Sequence, residues 1–176
     1  MKKSLYKPLK LSFKNNIIFI PIFYSKELYK KIIKESEKHY EFMLTDVIEL
    51  KNITIFGNFL GYVHLYSFLD YIDKIEEKEI FFLGLAGSLN KEITKPESLN
   101  VVEIFPSSIF KLFSKKKSFK LKSFNNNKLE EVKGVSVDIY QRETKSWLKE
   151  QKNKEIDIVE MEIFPLASYL KREFIP

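Results

Sequence analysis

The segment GLAGSLN at 84–90 combines small residues in a way that would let backbone amides approach a ligand. Gly84, Ala86 and Gly87 carry no bulky side chains, and a cradle for a phosphate or a sugar requires this close approach. The same composition is equally expected of a tight turn between a strand and the element that follows it. The segment is therefore a candidate binding loop with a structural alternative.

The segment GVSVDIYQRET at 134–144 places polar and aromatic groups after an apolar run. Ser136 and Asp138 would lie near the end of a strand, and the ring of Tyr140 could stack on a nucleobase there. The ring could equally pack on the core of the protein. We interpret Ser136 and Tyr140 as candidate contacts to a ligand.

The segment DIVEMEIF at 157–164 holds two carboxylates around a methionine, directly after a short apolar run. A carboxylate accepts hydrogen bonds only, so Glu160 or Glu162 could bind the two adjacent hydroxyls of a ribose. Taken singly, each carboxylate could also be a solvated surface residue. Met161 would add an apolar contact between them.

The excess of basic residues lies in residues 110–133. This segment has eight lysines and two glutamates, and its net charge of +6 equals the formal charge of the whole chain. Phenylalanines alternate with these lysines, a pattern that could bind single-stranded nucleic acid. The alternation in 118–124, three asparagines and the return at 129–132 favour a lysine-edged β-hairpin instead. We expect a basic hairpin insertion at about 110–133 and no nucleic-acid partner.

The composition excludes several classes of protein. There are no cysteines and only two histidines, His39 and His64, so we expect neither a disulfide framework nor a metal site, and no cofactor. The apolar run near the N-terminus is short and contains Pro21, which predicts a buried strand rather than a signal or a membrane segment. We expect a cytoplasmic protein that does not bind membranes.

The elements that must position these candidates alternate along the chain. Apolar periodicity predicts strands at 13–23, 40–50, 53–56, 80–85, 101–105, 134–137 and 156–159, and helices at 26–38, 63–75, 143–152 and 162–170. The continuous run at 80–85 predicts a central strand covered on both faces. This order predicts one α/β domain over 1–176, with three αβα layers around a mixed, mostly parallel central sheet. Ligands bind such sheets at the carboxyl ends of the strands.

The order and spacing of the three segments, with the strand LNVVEIF at 99–105 between the first two, resemble the nucleoside phosphorylase and nucleosidase superfamily. The resemblance runs from about residue 53 to the C-terminus, and VEME at 159–162 is its most specific part. It implies that Met161 and Glu162 hold the ribose, with Glu160 beside them, and that Tyr140 lies against the base. Gly57 in GNFLG would correspond to the first glycine-rich loop of that superfamily.

Several positions depart from the pattern of the superfamily. Phe82 and Leu85 stand where phosphate-using members carry an arginine and a hydroxyl residue, so phosphate binding is doubtful. The resemblance implies a general acid, an aspartate, on a strand beyond the last predicted helix, and the sequence ends at Pro176, where that strand would begin. Glu27 is a weak candidate for the residue that activates water, and a place on the surface of a helix is the alternative.

Two functional classes remain open on these grounds. One is a divergent enzyme that cleaves the N-glycosidic bond of a nucleoside, with a purine as the expected base. The other is a catalytically inactive protein of the same fold that binds a nucleoside or a nucleobase. The resemblance also implies a homo-oligomer, either a dimer or a larger ring.

Overall fold

The computed structural model describes residues 11–23, 25–59, 61–93, 98–107, 110–123, 129–138 and 144–171. The side chains of residues 112 and 113 lie outside this description. The chain divides into two compact units, Met1–Gly84 and Leu85–Pro176. Each unit has its own sheet, and the two are described separately.

The first unit is a mixed sheet with two helices. Its elements are β1 (Asn16–Ile20), α1 (Lys26–Glu35), β2 (Lys38–Phe42), β3 (Thr45–Glu49), β4 (Ile53–Gly57), α2 (Gly61–Leu69), a 3-10 turn (Ile75–Glu77) and β5 (Glu79–Phe82). The strand order is β2-β3-β4-β1-β5. β1 runs parallel to both of its neighbours, whereas the pairs β2–β3 and β3–β4 are antiparallel.

The core of the first unit is rich in aromatic rings. Phe19, Phe56 and Phe68 are almost completely buried, and Phe56 stacks on Phe68 with ring centroids 5.4 Å apart. Ser25 caps α1 by accepting a hydrogen bond from the amide of Leu28 at 3.1 Å, which fixes where that helix begins.

Three predicted elements of the first unit differ from the structure. The predicted strand at 40–50 is two antiparallel strands, joined by a turn in which Met43 and Leu44 have positive φ angles. The run at 80–85 was expected to be a central strand, but β5 lies at the edge of its sheet. Leu83 and Leu85 beyond it are more than half exposed, so this prediction was wrong. The helix predicted over 63–75 ends at Leu69.

The second unit is also a mixed five-stranded sheet. Its elements are β6 (Gly87–Ser88), β7 (Leu99–Pro106), α3 (Phe110–Phe113), β8 (Phe119–Lys120), β9 (Glu130–Ser136), α4 (Lys145–Asn153), β10 (Ile158–Glu160) and α5 (Ile163–Leu170). The strand order is β6-β10-β9-β7-β8. The central strands β10, β9 and β7 are parallel, and both outer strands are antiparallel to their neighbours.

The pairing of β7 with β9 contains one irregularity. Val101 pairs with Val132, and Glu103 pairs with the next residue, Lys133, so Val102 is an extra residue in β7. Gly134 of β9 lies against two side chains of β7 on either side of this extra residue. A Cβ atom at Gly134 would be 2.8 Å from Ile104 Cδ1 and 3.5 Å from Val101 Cγ1. A larger residue at position 134 would force the side chain of Ile104 to move.

The basic segment does not form the predicted hairpin. β8 pairs with one side of β7, and β9 pairs with the other side, so the two expected hairpin strands are separated by β7. The rings of Phe110 and Phe119 are buried and pack against Phe164 of α5. These two rings belong to the core, while Phe124 lies outside the described residues.

The α/β class and the mixed pairing of the strands are confirmed. The strands are divided between two sheets, and in each sheet two of the four pairings are parallel. None of the helices in the described part of the chain has the length and apolar character that crossing a membrane requires.

Candidate functional site

The three segments singled out in the sequence meet in the sheet of the second unit. Ser136, at the end of β9, pairs in register with Glu160, at the end of β10. On the other side of β10, Gly87 of β6 pairs with Val159. Because β6 runs antiparallel to β10, the residues that precede Gly87 lie toward the carboxyl end of β10. The described parts of the segments at 84–90, 134–144 and 157–164 therefore meet at the carboxyl ends of β9 and β10.

Glu160 is the most enclosed carboxylate of this edge among the described residues and is 2% exposed. Its Oε2 atom accepts hydrogen bonds from the backbone amides of Glu162 and Ile163, both at 2.7 Å. Its Oε1 atom accepts a hydrogen bond from the hydroxyl of Ser136. Both carboxylate oxygens are thus bonded within the protein, and Glu160 joins the end of β10 to the start of α5.

The surroundings of Glu160 act on its ionisation in opposite directions. Complete burial raises the pKa of the Glu160 carboxyl to about 7, while the hydrogen bonds from Ser136, Ile163 and Glu162 lower it. The negative charge of the nearby Glu162 raises it further. Burial dominates because the charged form loses its hydration.

Ser136 extends this connection into the helix. Its hydroxyl oxygen accepts a hydrogen bond from the amide of Phe164 at 2.8 Å, and the hydroxyl itself donates to Glu160. The first amides of α5 are therefore satisfied by Glu160 and Ser136, as a helix N-terminus requires. We name this arrangement of Ser136, Glu160 and the amides at 162–164 the Glu160 latch.

Glu162 lies at the N-cap position of α5 and is 7% exposed. Its side chain makes no capping hydrogen bond to the helix, because Glu160 and Ser136 bond those amides. Met161 is partly buried and packs against a cluster that includes Val135, Val137 and Val159. The latch thus fixes the backbone on both sides of Met161 and Glu162.

The small residues of the first segment have different surroundings. A Cβ atom at Gly87 would lie 3.1 Å from Val159 Cγ1, so glycine permits the close pairing of β6 with β10. A Cβ atom at Gly84 would be 2.5 Å from the ring of Phe82. Gly84, Ala86 and Gly87 are all exposed, as accessible backbone at a binding edge would be.

The first unit has a polar cluster that sequence reasoning missed. Asp46 Oδ2 accepts hydrogen bonds from the Tyr29 hydroxyl at 3.0 Å and from the Asn58 amide, and His39 Nε2 lies 3.1 Å from Asp46 Oδ1. Asp46 pairs across the sheet with Gly57, the residue before Asn58. We name these four side chains the Asp46 cluster; it fixes the turn after Gly57, where Asn58 has a positive φ angle.

Other candidates from the sequence lie elsewhere or outside the description. A Cβ atom at Gly57 would be 2.4 Å from the ring of Phe23, so its smallness has a packing reason. Glu27 is exposed in the first turn of α1 in the first unit. Tyr140 lies outside the described residues. Within the part of the chain that the structure describes, no group of three or more His, Asp or Glu side chains could hold a metal ion.

Comparisons of sequence find no similar protein. No protein-family profile matches the chain, and no curated protein is significantly similar to it.

Comparisons of structure find extensive similarity to solved proteins. A 5′-methylthioadenosine/S-adenosylhomocysteine nucleosidase from Neisseria meningitidis, in complex with methylthio-immucillin-A, is similar over 90% of this chain and 80% of that chain, with 16% identity and a TM-score of 0.66. A purine nucleoside phosphorylase from Toxoplasma gondii, in complex with immucillin-H, is similar over 93% of this chain and 73% of that chain, with 14% identity and a TM-score of 0.65. A futalosine hydrolase mutant of Helicobacter pylori is similar over 91% of this chain and 85% of that chain, with 15% identity and a TM-score of 0.61. The chain has a nucleoside phosphorylase/nucleosidase-like fold.

Proposed function

We propose that this protein binds a nucleoside at the carboxyl edge of its second sheet and acts on the N-glycosidic bond, with a purine as the base. One observation carries the proposal: Glu162 lies where the three candidate segments converge, held by the Glu160 latch. The similar solved structures support it, because they include nucleosidases and a nucleoside phosphorylase.

In this proposal the residues of VEME have distinct tasks. The carboxylate of Glu162 accepts hydrogen bonds from the two ribose hydroxyls, since a carboxylate has acceptor sites for both. Met161 provides an apolar contact to the sugar. Glu160 is a positioning residue, because both of its oxygens bond within the protein. Fixing the sugar favours cleavage, since the ribosyl group develops positive charge as the base departs.

The proposal does not include phosphate as a second substrate. The side chains at Phe82 and Leu85 are apolar, and neither can neutralise an oxyanion. Water is then the acceptor of the ribosyl group. Glu27 stays a weak candidate for activating that water, and Tyr140 stays a candidate for contact with the base.

A second function is a protein that binds a nucleoside without cleaving it. The Glu160 latch favours this alternative, because one of the two carboxylates in VEME is committed to holding α5. Acid catalysis of base departure typically contributes about 10²- to 10⁴-fold to the rate, and a site without it would bind but turn over slowly.

Thermal unfolding in the presence of nucleosides tests the site. Adenosine, inosine, uridine, methylthioadenosine and their free bases are compared on the wild type, on Glu162→Ala and on Glu130→Ala. Glu130 begins β9 at the opposite end of the strand from Ser136 and is exposed, so it is a matched control. A nucleoside at 100 times its Kd should stabilise the wild type and the control by about 2.7 kcal/mol and leave Glu162→Ala unchanged.

Release of free base, followed by chromatography with and without phosphate, then separates the two functions. Release without phosphate supports hydrolysis, and stabilisation without release supports the binding protein. If no nucleoside stabilises the wild type, or if both variants respond like it, the site is wrong.

A homo-oligomer and a cytoplasmic location also belong to this proposal. Exposed apolar side chains such as Leu44, Val63 and Leu85 offer surface that a second copy could cover. Light scattering at micromolar concentration should give a mass of two chains or more, and a monodisperse monomer would contradict the oligomer.

A further inference from the structure

The second unit contains a cavity of about 430 Å³ with strongly basic walls. Its lining includes Phe105 and Pro106 at the end of β7, Gln151 of α4, and Lys154, which follows directly after that helix. Ser114 and four more lysines of the basic segment, at positions 111, 115, 116 and 117, also line it. Its volume falls within the range of about 300–1,000 Å³ typical of small-molecule sites.

The charge around this cavity is poorly balanced. Five lysines line it, and the acid nearby is Glu150, which forms an ion pair with Lys154. That pair lowers the pKa of the Glu150 carboxyl, and Lys111 contributes a smaller effect in the same direction. Within the described residues, Lys115 and Lys117 form no ion pair. Like charges held together repel one another, so an anion in the cavity would relieve the repulsion.

The neighbouring aromatic rings argue for a small ligand rather than a nucleic acid. Phe110 and Phe119, which alternate with the lysines in the sequence, are buried against Phe164 and present no face on which a base could stack. What the segment offers to solvent is ammonium groups. Lysine provides a point charge for a phosphate and not the two-pronged recognition that arginine gives to base edges.

The cavity and the Glu160 latch use different elements. Phe105 packs against an apolar cluster that Trp147 and Leu148 of α4 also contact. Glu160 instead bonds the first amides of α5. The two places adjoin, because Pro106 pairs with Ser136 in the sheet, but Glu162 is not among the described residues that line the cavity. A ligand of the cavity would therefore contact α4 and the basic segment without touching Glu162.

We propose that this cavity binds a small organic phosphate, with its phosphate group among the lysines and its apolar part against Phe105 and Pro106. Most of the accessible lining is apolar, from the ring, the proline and the lysine stems, so an inorganic anion alone would leave that surface uncovered. The proposal goes beyond nucleoside binding and stands on separate residues.

Phenyl phosphate is the probe that tests this site, because it joins a phosphate to an apolar ring and has no ribose. Binding is measured by calorimetry and by the fluorescence of Trp147, the single tryptophan, which lies one helical turn before Gln151. We expect saturable binding that weakens as salt is added, weaker binding of inorganic phosphate, and no binding of phenol.

Two double variants with equal change of charge show whether the cavity is responsible. Lys115→Ala/Lys117→Ala removes two exposed lysines from the lining, and Lys120→Ala/Lys149→Ala removes two exposed lysines that lie outside it. The first pair should weaken binding by about tenfold or more, and the second by less than about twofold. Circular dichroism checks that both variants fold.

Several outcomes would overturn the proposal: no binding of phenyl phosphate, equal loss in both double variants, or equal binding of phenol. A single-stranded oligonucleotide that binds more tightly than phenyl phosphate, and loses affinity in the first variant alone, would replace the small ligand with a nucleic acid. Glu162→Ala should bind phenyl phosphate like the wild type, so failure of the nucleoside site would leave this test intact.

Discussion

The Glu160 latch and the Asp46 cluster each hold one carboxylate by hydrogen bonds, but the donors of those bonds differ. Each places one carboxylate among three hydrogen-bond donors beside the end of a strand. Glu160 is 2% exposed and accepts from two backbone amides and a hydroxyl. The side chain of Asp46 is 18% exposed and is bonded only by side chains, from Tyr29, His39 and Asn58.

The difference determines what happens when the carboxylate is removed. Side-chain donors around Asp46 can turn toward water, because His39 and Asn58 reach solvent. The amides of Glu162 and Ile163 are fixed at the start of α5, and the carboxylate that accepts from them is almost completely buried. An unsatisfied buried donor costs about 1–3 kcal/mol, so the latch is the more sensitive of the two regions.

The largest effect is expected from Glu160→Ala, which leaves two backbone amides and the Ser136 hydroxyl without an acceptor. The free energy of unfolding, measured with urea, should fall by about 3–5 kcal/mol. Glu160→Gln is the matched control, because its amide oxygen still accepts from Glu162 and Ile163. We expect it to cost about 1 kcal/mol, and equal losses in both variants would refute the latch.

The second effect is a pH dependence that belongs to the latch. Because burial raises the pKa of Glu160 to about 7, the folded protein holds a proton that the unfolded chain releases near the ordinary value for glutamate. The contribution of Glu160 to the free energy of unfolding is therefore complete below about pH 4.5 and is lost as the pH rises to 7 and above, by on the order of 3 kcal/mol.

Urea unfolding at pH 5 and pH 8 measures this dependence as the difference between the wild type and Glu160→Gln. The glutamine cannot ionise, so the variant should lose less stability over this range. If the two proteins change in parallel, other groups are responsible.

A smaller effect is expected from Asp46→Ala, which removes the acceptor of the cluster. The free energy of unfolding, measured with urea, should fall by about 1–2 kcal/mol, which is less than the loss expected for Glu160→Ala. Asp46→Asn keeps one acceptor oxygen and should lie between the alanine variant and the wild type. A loss as large as that of Glu160→Ala would remove the distinction between the two regions.

The smallest effect is expected from Tyr29→Phe, which deletes one hydroxyl of the Asp46 cluster. Burial, followed by the hydrogen bond to Asp46 and its charge, raises the pKa of Tyr29 above its usual value. The protonated hydroxyl therefore donates at all ordinary pH values, and its loss should cost about 0.5–1 kcal/mol. Ser136→Ala is the counterpart in the latch, and its loss should be the greater of the two.

Much of the fold could be predicted because local signals agreed with it. The apolar spacing of Leu28, Ile32 and Ile33 predicts a helix from residue 26, and the structure begins α1 at Lys26. Met43 and Leu44 form a turn although neither is a typical turn residue, so the hairpin of β2 and β3 gave no signal. The run at 80–85 is apolar, and apolar character alone does not determine whether a strand lies at the edge or the centre of a sheet.

The site was predictable in outline. The order of the three segments led to one edge of a sheet, and the pairing of Ser136 with Glu160 confirms that two of them meet. The bonding of Glu160 to the first amides of α5 was not predictable, because Glu160 and Glu162 follow the same apolar run and only the folded chain brings those amides to one of them. The Asp46 cluster was missed because its residues are spread from 29 to 58 without a shared motif.

The extra residue at Val102 has a consequence for how the chain finds its fold. In a regular strand, Val101 and Ile104 would point to opposite faces, yet both lie against Gly134. The bulge turns both side chains to the face of β9 where Gly134 leaves room for them. A one-residue shift of β7 along β9 would exchange the faces of its side chains, so the bulge and the glycine together favour one register for the longest parallel pairing of the second unit.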